Sequence, residues 1–236
     1  MPVAVVTGAS SGIGAALSRE LRSRGWHVVG LSRSFAPEAN EHEACDVADR
    51  AAVEAVAASV LARHAQLGLL VNCAGIPARG DFLEVEPERI EAVMQTNYLG
   101  SVWCLRAFLP GLGAGSKLVN IVSVAGTVAV GPYSASKHAQ LAFSRSVAVE
   151  LAPQGISVLG VLPGFVETPG FPQRGRFGYL ARWIVVEPAF VARRTIDAIE
   201  RGHREVFVPR WYRPAAWLQT LAPSLLMRRR RSGVRG

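Results

Sequence analysis

Val3-Ala-Val-Val-Thr7-Gly-Ala-Ser-Ser-Gly-Ile-Gly14-Ala-Ala-Leu17 takes the chain from an apolar run through a glycine-rich turn into a helical pattern. Val3 to Val6 is apolar at every position and mostly β-branched, as a strand of a parallel sheet covered on both faces must be. Leu21 continues the helical spacing begun by Ala15, Ala16 and Leu17. Strand, glycine turn and helix in this order make a phosphate cradle. Glycines let the backbone turn tightly and come close to a pyrophosphate, whose charge is favoured by the free amides and the dipole at the helix start. A nucleotide is therefore expected at Gly8, Ser10, Ser11, Gly12, Ile13 and Gly14, the bland alternative being a plain strand-to-helix turn.

The same alternation continues outward. Further strands are expected at Val28 to Leu31, His42 to Cys45, Leu69 to Asn72, Lys117 to Ser123, Ser157 to Pro163 and Glu205 to Val208, with helical stretches between them. A chain of 236 residues, half of them apolar, suffices for one α/β domain. The expected division is a catalytic, nucleotide-binding domain over residues 1–208 and a basic amphipathic tail over 209–236. Cys45, Cys73 and Cys104 are odd in number and lack metal-ligand spacing, which fits a reducing compartment and implies neither zinc nor disulfide. The start, Met1-Pro2-Val3, shows no charged leader, so a cytoplasmic location is expected. The net charge is +8, yet residues 210 to 236 hold seven arginines and no acid, leaving +1 for the remainder. No metal and no nucleic-acid partner is expected of the body.

Tyr133-Ser-Ala-Ser-Lys137 is the second informative stretch. Of 26 basic residues only Lys117 and Lys137 are lysines, so a lysine here is not background composition. Positions i and i+4 share a helix face, and an ammonium near a phenol is expected to lower its pKa towards the working range of an acid/base catalyst. The competing reading is a solvated helix pair.

The spacing TGxxxGxG from Thr7 to Gly14, with the Tyr133–Lys137 pair, resembles the short-chain dehydrogenase/reductase family from Val3 to about Val208. The resemblance implies a single Rossmann-like, doubly wound parallel α/β sheet of about seven strands with helices on both faces. It implies catalytic roles for Asn97, Ser123, Tyr133 and Lys137. Ser123 would polarise a carbonyl, Tyr133 would exchange the proton, Lys137 would lower the Tyr133 pKa and hold the nicotinamide ribose, and Asn97 would position a relay water. It also implies that Asp46 and Val47 meet the adenine. Asn72-Cys73-Ala74-Gly75 stands for the family's NNAG turn, bringing in Asn72, Ala74 and Gly75. Pro163, Gly164, Val166 and Thr168 of a PGxxxT turn would meet the nicotinamide. A dimer or tetramer is expected on the same ground. Ser123 and Tyr133 are only ten positions apart, so Thr127 to Pro132 is a shortened loop and a lower wall beside the substrate.

At the end of the second strand Ser32-Arg33 carries a base and no acid, which favours a 2′-phosphate and hence NADP(H). The alternative is that Arg33 is an ordinary surface arginine, and Ser11 stands where many NADP-dependent relatives have a second base. Phe165, Phe171, Phe177, Tyr179 and Trp183 read either as an aromatic lid favouring apolar substrates or as core cover; Arg174, Arg176 and Arg182 keep acidic carriers open.

After residue 208, Trp211, Tyr212 and Trp217 precede Arg228 to Arg231. Residues 211–231 read either as an interfacial anchor on an anionic membrane surface, peripheral on its inner face, or as a helix packed on protein with a solvated basic end. The expected function is an NADP(H)-dependent oxidoreductase interconverting carbonyl and alcohol on a fairly apolar small molecule, retinoid, steroid or lipid-like. The rivals are a 3-oxoacyl thioester reductase acting on carrier or CoA substrates, and a catalytically idle NADP-binding or membrane-scaffolding protein.

Overall fold

The computed structural model describes residues 1–128, 131–170, 172–177, 184–214 and 216. Seven strands, β1 (Val3–Thr7), β2 (His27–Ser32), β3 (Glu41–Ala44), β4 (Leu67–Asn72), β5 (Leu112–Ile121), β6 (Ser157–Pro163) and β7 (Glu205–Val208), form one sheet in the order β3-β2-β1-β4-β5-β6-β7. All pairings are parallel. The chain winds one way from β1 to β3, then crosses back so that β4 lies on the other side of β1. This reversal opens a crevice at the C-terminal ends of β1 and β4, where an open α/β sheet takes its ligand.

Side chains alternate across the strands, and each face carries its own core. On one face Ala4, Val6, Val28, Leu69 and Val71 pack with Leu17 and Leu21 of α1 (Gly12–Ser23) and with Val191, Ile196 and Ile199 of a helix at Pro188–Glu200. On the other, Val5, Val29 and Leu70 pack with α2 (Arg50–Arg63), a helix at Gly100–Phe108 and a long helix at Gly131–Leu151. In chain order the remaining helices are α3 (Pro87–Met94), α4 (Gly100–Phe108), α5 (Gly131–Leu151), the single turn α6 (Arg174–Phe177) and α7 (Pro188–Glu200). Each fully buried Val or Leu stabilises by ~1.5–3 kcal/mol, which explains why these strands tolerate so few polar residues away from their ends.

The expected ranges of β1, β6 and β7 match the structure. β5 begins earlier than its apolar pattern suggested, because Gly113, Ala114 and Gly115 are exposed and carry no alternation. It ends before Ser123, which instead starts a 3₁₀ turn, Val124–Thr127.

Part of the tail can be placed. Tyr212 lies on Gly164, where a Cβ would fall 2.0 Å from the ring, and its ring stacks on Trp211 at 3.8 Å. Tyr212 thus packs on protein, whereas Trp211 is half exposed. Trp217 and Arg228 to Arg231 lie outside the described residues. Among the described residues no helix is long and apolar enough to cross a membrane.

Candidate active site

A cleft of about 1150 Å³ runs along the crevice from Arg33 to the turn after β6. Its floor is the glycine turn. Gly14 approaches the preceding turn so closely that a Cβ would lie 2.2 Å from the Gly8 carbonyl oxygen, so the helix starts flush against the end of β1. The Ser11 side chain caps no amide of α1, leaving the first-turn N–H groups for an anion. Thr7 Oγ1 accepts from the amides of Cys73 (2.9 Å) and Ala74 (3.0 Å), locking the turn after β4 to the cradle.

Arg33 stands beyond the end of β2 with its guanidinium largely exposed and Nη1 3.7 Å from Asp46 Oδ2. Asp46 Oδ1 accepts from the Ala48 amide at 3.0 Å, fixing that turn. Glycine cradle and uncapped helix start, in one continuous cleft with the Arg33 guanidinium, fit a dinucleotide. Gly8, Ser10, Ser11, Gly12, Ile13, Gly14, Arg33, Asp46, Val47, Ala74, Gly75, Pro163, Gly164, Val166 and Thr168 all line it. Asn72 does not. Its buried side chain donates to Asn120 Oδ1 (2.9 Å) and to the Ser101 carbonyl (3.2 Å), tying β4 to β5 and α4, while Cys73, Ala74 and Gly75 face the cleft.

Ser123, Tyr133 and Lys137 meet at the other end of the cleft. The shortened loop still brings the strand end to the helix, since Ser123 and Tyr133 are hydrogen-bonded through their side chains. Two features make this possible. Ser123 Oγ accepts from the Ala125 amide at 3.1 Å and starts the 3₁₀ turn, and Gly126 lets that turn press on α5, where a Cβ would sit 2.8 Å from the Lys137 carbonyl oxygen. Ser134 then ties α5 back by donating to the Ala125 carbonyl at 2.7 Å. Residues 129 and 130 of the loop lie outside the described residues, as do Phe171, Tyr179, Arg182 and Trp183 of the expected lid.

Asn97 sits behind the cleft on a π-helical turn, Gln95–Leu99. Its Oδ1 accepts from the Ile76 amide at 2.8 Å, and its Nδ2 donates to the Ile76 carbonyl (3.1 Å) and to Ser136 Oγ (3.0 Å). Gly75 separates it from Lys137: a Cβ there would be 3.3 Å from Asn97 Oδ1 and 3.7 Å from Lys137 Nζ.

The electrostatics differ from expectation. Burial pushes the Tyr133 phenol up to about 12, against the hydrogen bond to Ser123, which pulls it down. The downward pull expected of Lys137 does not prevail, because the amine is itself desolvated and held at about 8. Its Nζ lies 5.9 Å from the Tyr133 ring centre and is turned to the Ile121 carbonyl (3.1 Å) and Gln140 Oε1 (2.7 Å). At neutral pH the site therefore holds a protonated phenol.

The pattern of the short chain dehydrogenase family matches residues 2–176. The chain belongs to that family. It is 38% identical over 213 residues, 81% of this chain and 80% of the relative, to a Streptomyces virginiae protein named for ketoacyl reduction in the monensin polyketide synthase. A crystal structure of an actinorhodin polyketide ketoreductase variant with NADPH aligns with a TM-score of 0.77 at 30% identity, covering 88% of this chain and 95% of that one. A short-chain dehydrogenase/reductase from Burkholderia phymatum in complex with NAD aligns with a TM-score of 0.83 at 25% identity, covering 95% of both. The chain is thus an oxidoreductase of this family, whose members of the same fold hold nicotinamide dinucleotides.

Gln140 is the site residue that motif reading passes over. It is fully buried, accepts from Lys137 Nζ and donates through Nε2 to Ser101 Oγ at 2.8 Å, which in turn donates to the Asn97 carbonyl at 3.2 Å. The available signal was a glutamine three residues after the lysine, on the same helix face.

Lys137 has a pH consequence for stability. Its folded value of about 8 lies below the ordinary 10.5, so between these values the unfolded chain binds more protons and stability rises with pH. Lys137→Met should therefore stabilise the protein by about 1–3 kcal/mol at pH 7. That advantage should shrink above pH 8 and be gone near pH 10.5, as measured by urea unfolding across the range.

Proposed function

We propose that this dehydrogenase uses NADP(H) to reduce a ketone or aldehyde on a fairly apolar small molecule. The observation that carries the reading is the protonated Tyr133 phenol hydrogen-bonded to Ser123 at one end of a dinucleotide-shaped cleft, with Lys137 beneath it. NADPH, when bound, supplies the hydride. The cradle amides and Arg33 would hold its phosphates, Lys137 the nicotinamide ribose, and the turn from Pro163 to Thr168 the carboxamide. Ser123 donates to the substrate oxygen and stabilises the negative charge that develops there. Tyr133 transfers its proton to that oxygen. Val128 and Phe165 line this end of the cleft and suit an apolar substrate.

A second reading, reduction of a 3-oxoacyl thioester, is favoured by the similarity to the monensin and actinorhodin proteins. Against an acidic carrier, Arg174 is already paired with Glu187. The catalytically idle alternative leaves the Ser123, Tyr133 and Lys137 constellation without a purpose. NADPH oxidation measured with steroid, bicyclic and simple ketones beside 3-oxoacyl thioesters separates all three readings, and an enzyme inert to every carbonyl would overturn the proposal.

Tyr133→Phe should lower kcat by at least ~10²-fold, the usual size of a general acid contribution, while NADPH binding followed by fluorescence stays intact. Unchanged turnover would remove Tyr133 from the mechanism.

Arg33→Asp should weaken NADPH far more than NADH, because it deletes a charge-assisted contact and sets a like charge against the 2′-phosphate. Comparison of KM for the two cofactors decides this, and an equal loss for both would mean that Arg33 is not the selector.

A further inference from the structure

At the rim of the sheet opposite the cleft, three side chains far apart in sequence come together. His27 is the first residue of β2, Glu41 the first of β3, and His64 caps the C-terminal end of α2. Because α2 follows β3 and runs back along the sheet, it returns His64 to the level where β2 and β3 begin. β2 spans on the order of 20 Å, so this rim is remote from Arg33 and the cleft.

His27 Nε2 and His64 Nε2 approach the same oxygen, Glu41 Oε1, at 2.6 and 2.8 Å. The three candidate ligand atoms all lie within 4.8 Å of one another. The other carboxylate oxygen, Oε2, accepts from Arg63 Nε (3.3 Å) and Nη2 (3.2 Å), so Oε1 alone is presented to the imidazoles. Arg63 also pairs with Glu43, so two carboxylates offset its one charge. The side chains of His27, Glu41 and His64 are 23%, 29% and 19% exposed, sheltered yet open enough for water to complete a coordination shell.

We propose that His27, Glu41 and His64 bind a divalent transition-metal ion of the zinc class, clamping the starts of β2 and β3 to the end of α2. Two imidazoles and a monodentate carboxylate are a ligand set that suits zinc, with a water in the fourth position. Tetrahedral ligation places ligand atoms about 3.3 Å apart, so each imidazole need move less than about 1 Å from Glu41 Oε1, and the two Nε2 atoms, within 4.8 Å of one another, need close by no more than about 1.5 Å. Both Nε2 atoms face an accepting carboxylate oxygen and so carry hydrogens, which ligation moves to Nδ1 or releases. Magnesium and calcium, which take oxygen ligands, are excluded by the same chemistry. The site is independent of the proposed reaction.

The test uses tag-free, full-length protein titrated with Co²⁺ as the spectroscopic probe and then with Zn²⁺ as competitor. Visible d–d absorption should saturate at one equivalent and be displaced by Zn²⁺, and Zn²⁺ should raise the melting temperature. His64→Asn and the nearly isosteric Glu41→Gln should each weaken binding at least ~10-fold and lose the thermal shift, with NADPH binding retained. Glu41→Gln keeps the test decisive if the histidine variant folds poorly. Absence of saturation below millimolar metal, or equal affinity in wild type and both variants, would overturn the proposal and leave the cluster as a hydrogen-bonded staple.

Discussion

The Lys137 ammonium lies beneath the end of β5 with almost no access to water, and the protein must supply what solvent would have given it. An unpaired buried charge costs several kcal/mol, so acceptors have to be built around it. The Ile121 carbonyl is one, available because β5 ends there and its last carbonyl is not fully spent on the sheet. Gln140 is the other, and it is useful only because its amide nitrogen finds Ser101 in turn. A single charge thereby bears on residue types on α5 and α4, where Gln140 and Ser101 stand.

This demand is visible along α5. Its buried positions are mostly polar towards the cleft, Ser134, Ser136, Lys137, Gln140 and Ser144 beside Pro132 and Leu141, with Val147 and Leu151 towards the other end. One helix thus changes from a polar to an apolar inner face along its length. The sheet beneath it answers in kind: Asn120 on β5 pairs with Asn72 on β4 and donates to Ser144 at 3.0 Å. Such a seam stabilises less than an apolar one would, since each hydrogen bond contributes only ~1 kcal/mol net while an unmade one costs more. The apolar layers around Leu17, Leu21 and Val191 on one face, and Phe108 and Val60 on the other, offset that deficit.

Local rules made much of this legible in the sequence. Buried parallel strands announce themselves where nearly every position is apolar, as in Val3 to Val6 and Val158 to Leu162, and a phosphate turn is recognisable because glycine alone permits the approach at Gly14. What stayed hidden depends on long-range placement. Gln140 resembles a surface residue until Ser101 and Lys137 are seen to enclose it. His27, Glu41 and His64 have no telling spacing, because two strand starts and a helix end adjoin only in the fold. The seat of Tyr212 on Gly164 has no local signal either, since the two are 48 residues apart in the chain. The proton affinities are hidden for a related reason: spacing puts Lys137 near Tyr133, but burial, which spacing does not report, moves both groups in the directions opposite to a simple ion pair.

That reversal bears on how protons would move in the proposed reaction. In water a lysine holds its proton slightly more firmly than a tyrosine. Here the phenol lies at about 12 and the amine at about 8, so the order is inverted. Burial thus opposes both a Tyr133 phenolate and a Lys137 ammonium, which favours passing a proton from the amine to the phenolate once Tyr133 has given up its own. The amine is then left neutral, the form that its buried setting favours, and must take a proton from solvent before the next turnover. Because Nζ stands 5.9 Å from the ring centre and is directed towards Gln140, the transfer needs an intervening hydroxyl or water. The chain of hydrogen bonds from Gln140 through Ser101 to the Asn97 main-chain carbonyl fixes where the amine waits, and an amide can do this without competing for the proton, since it has no titration near neutral pH.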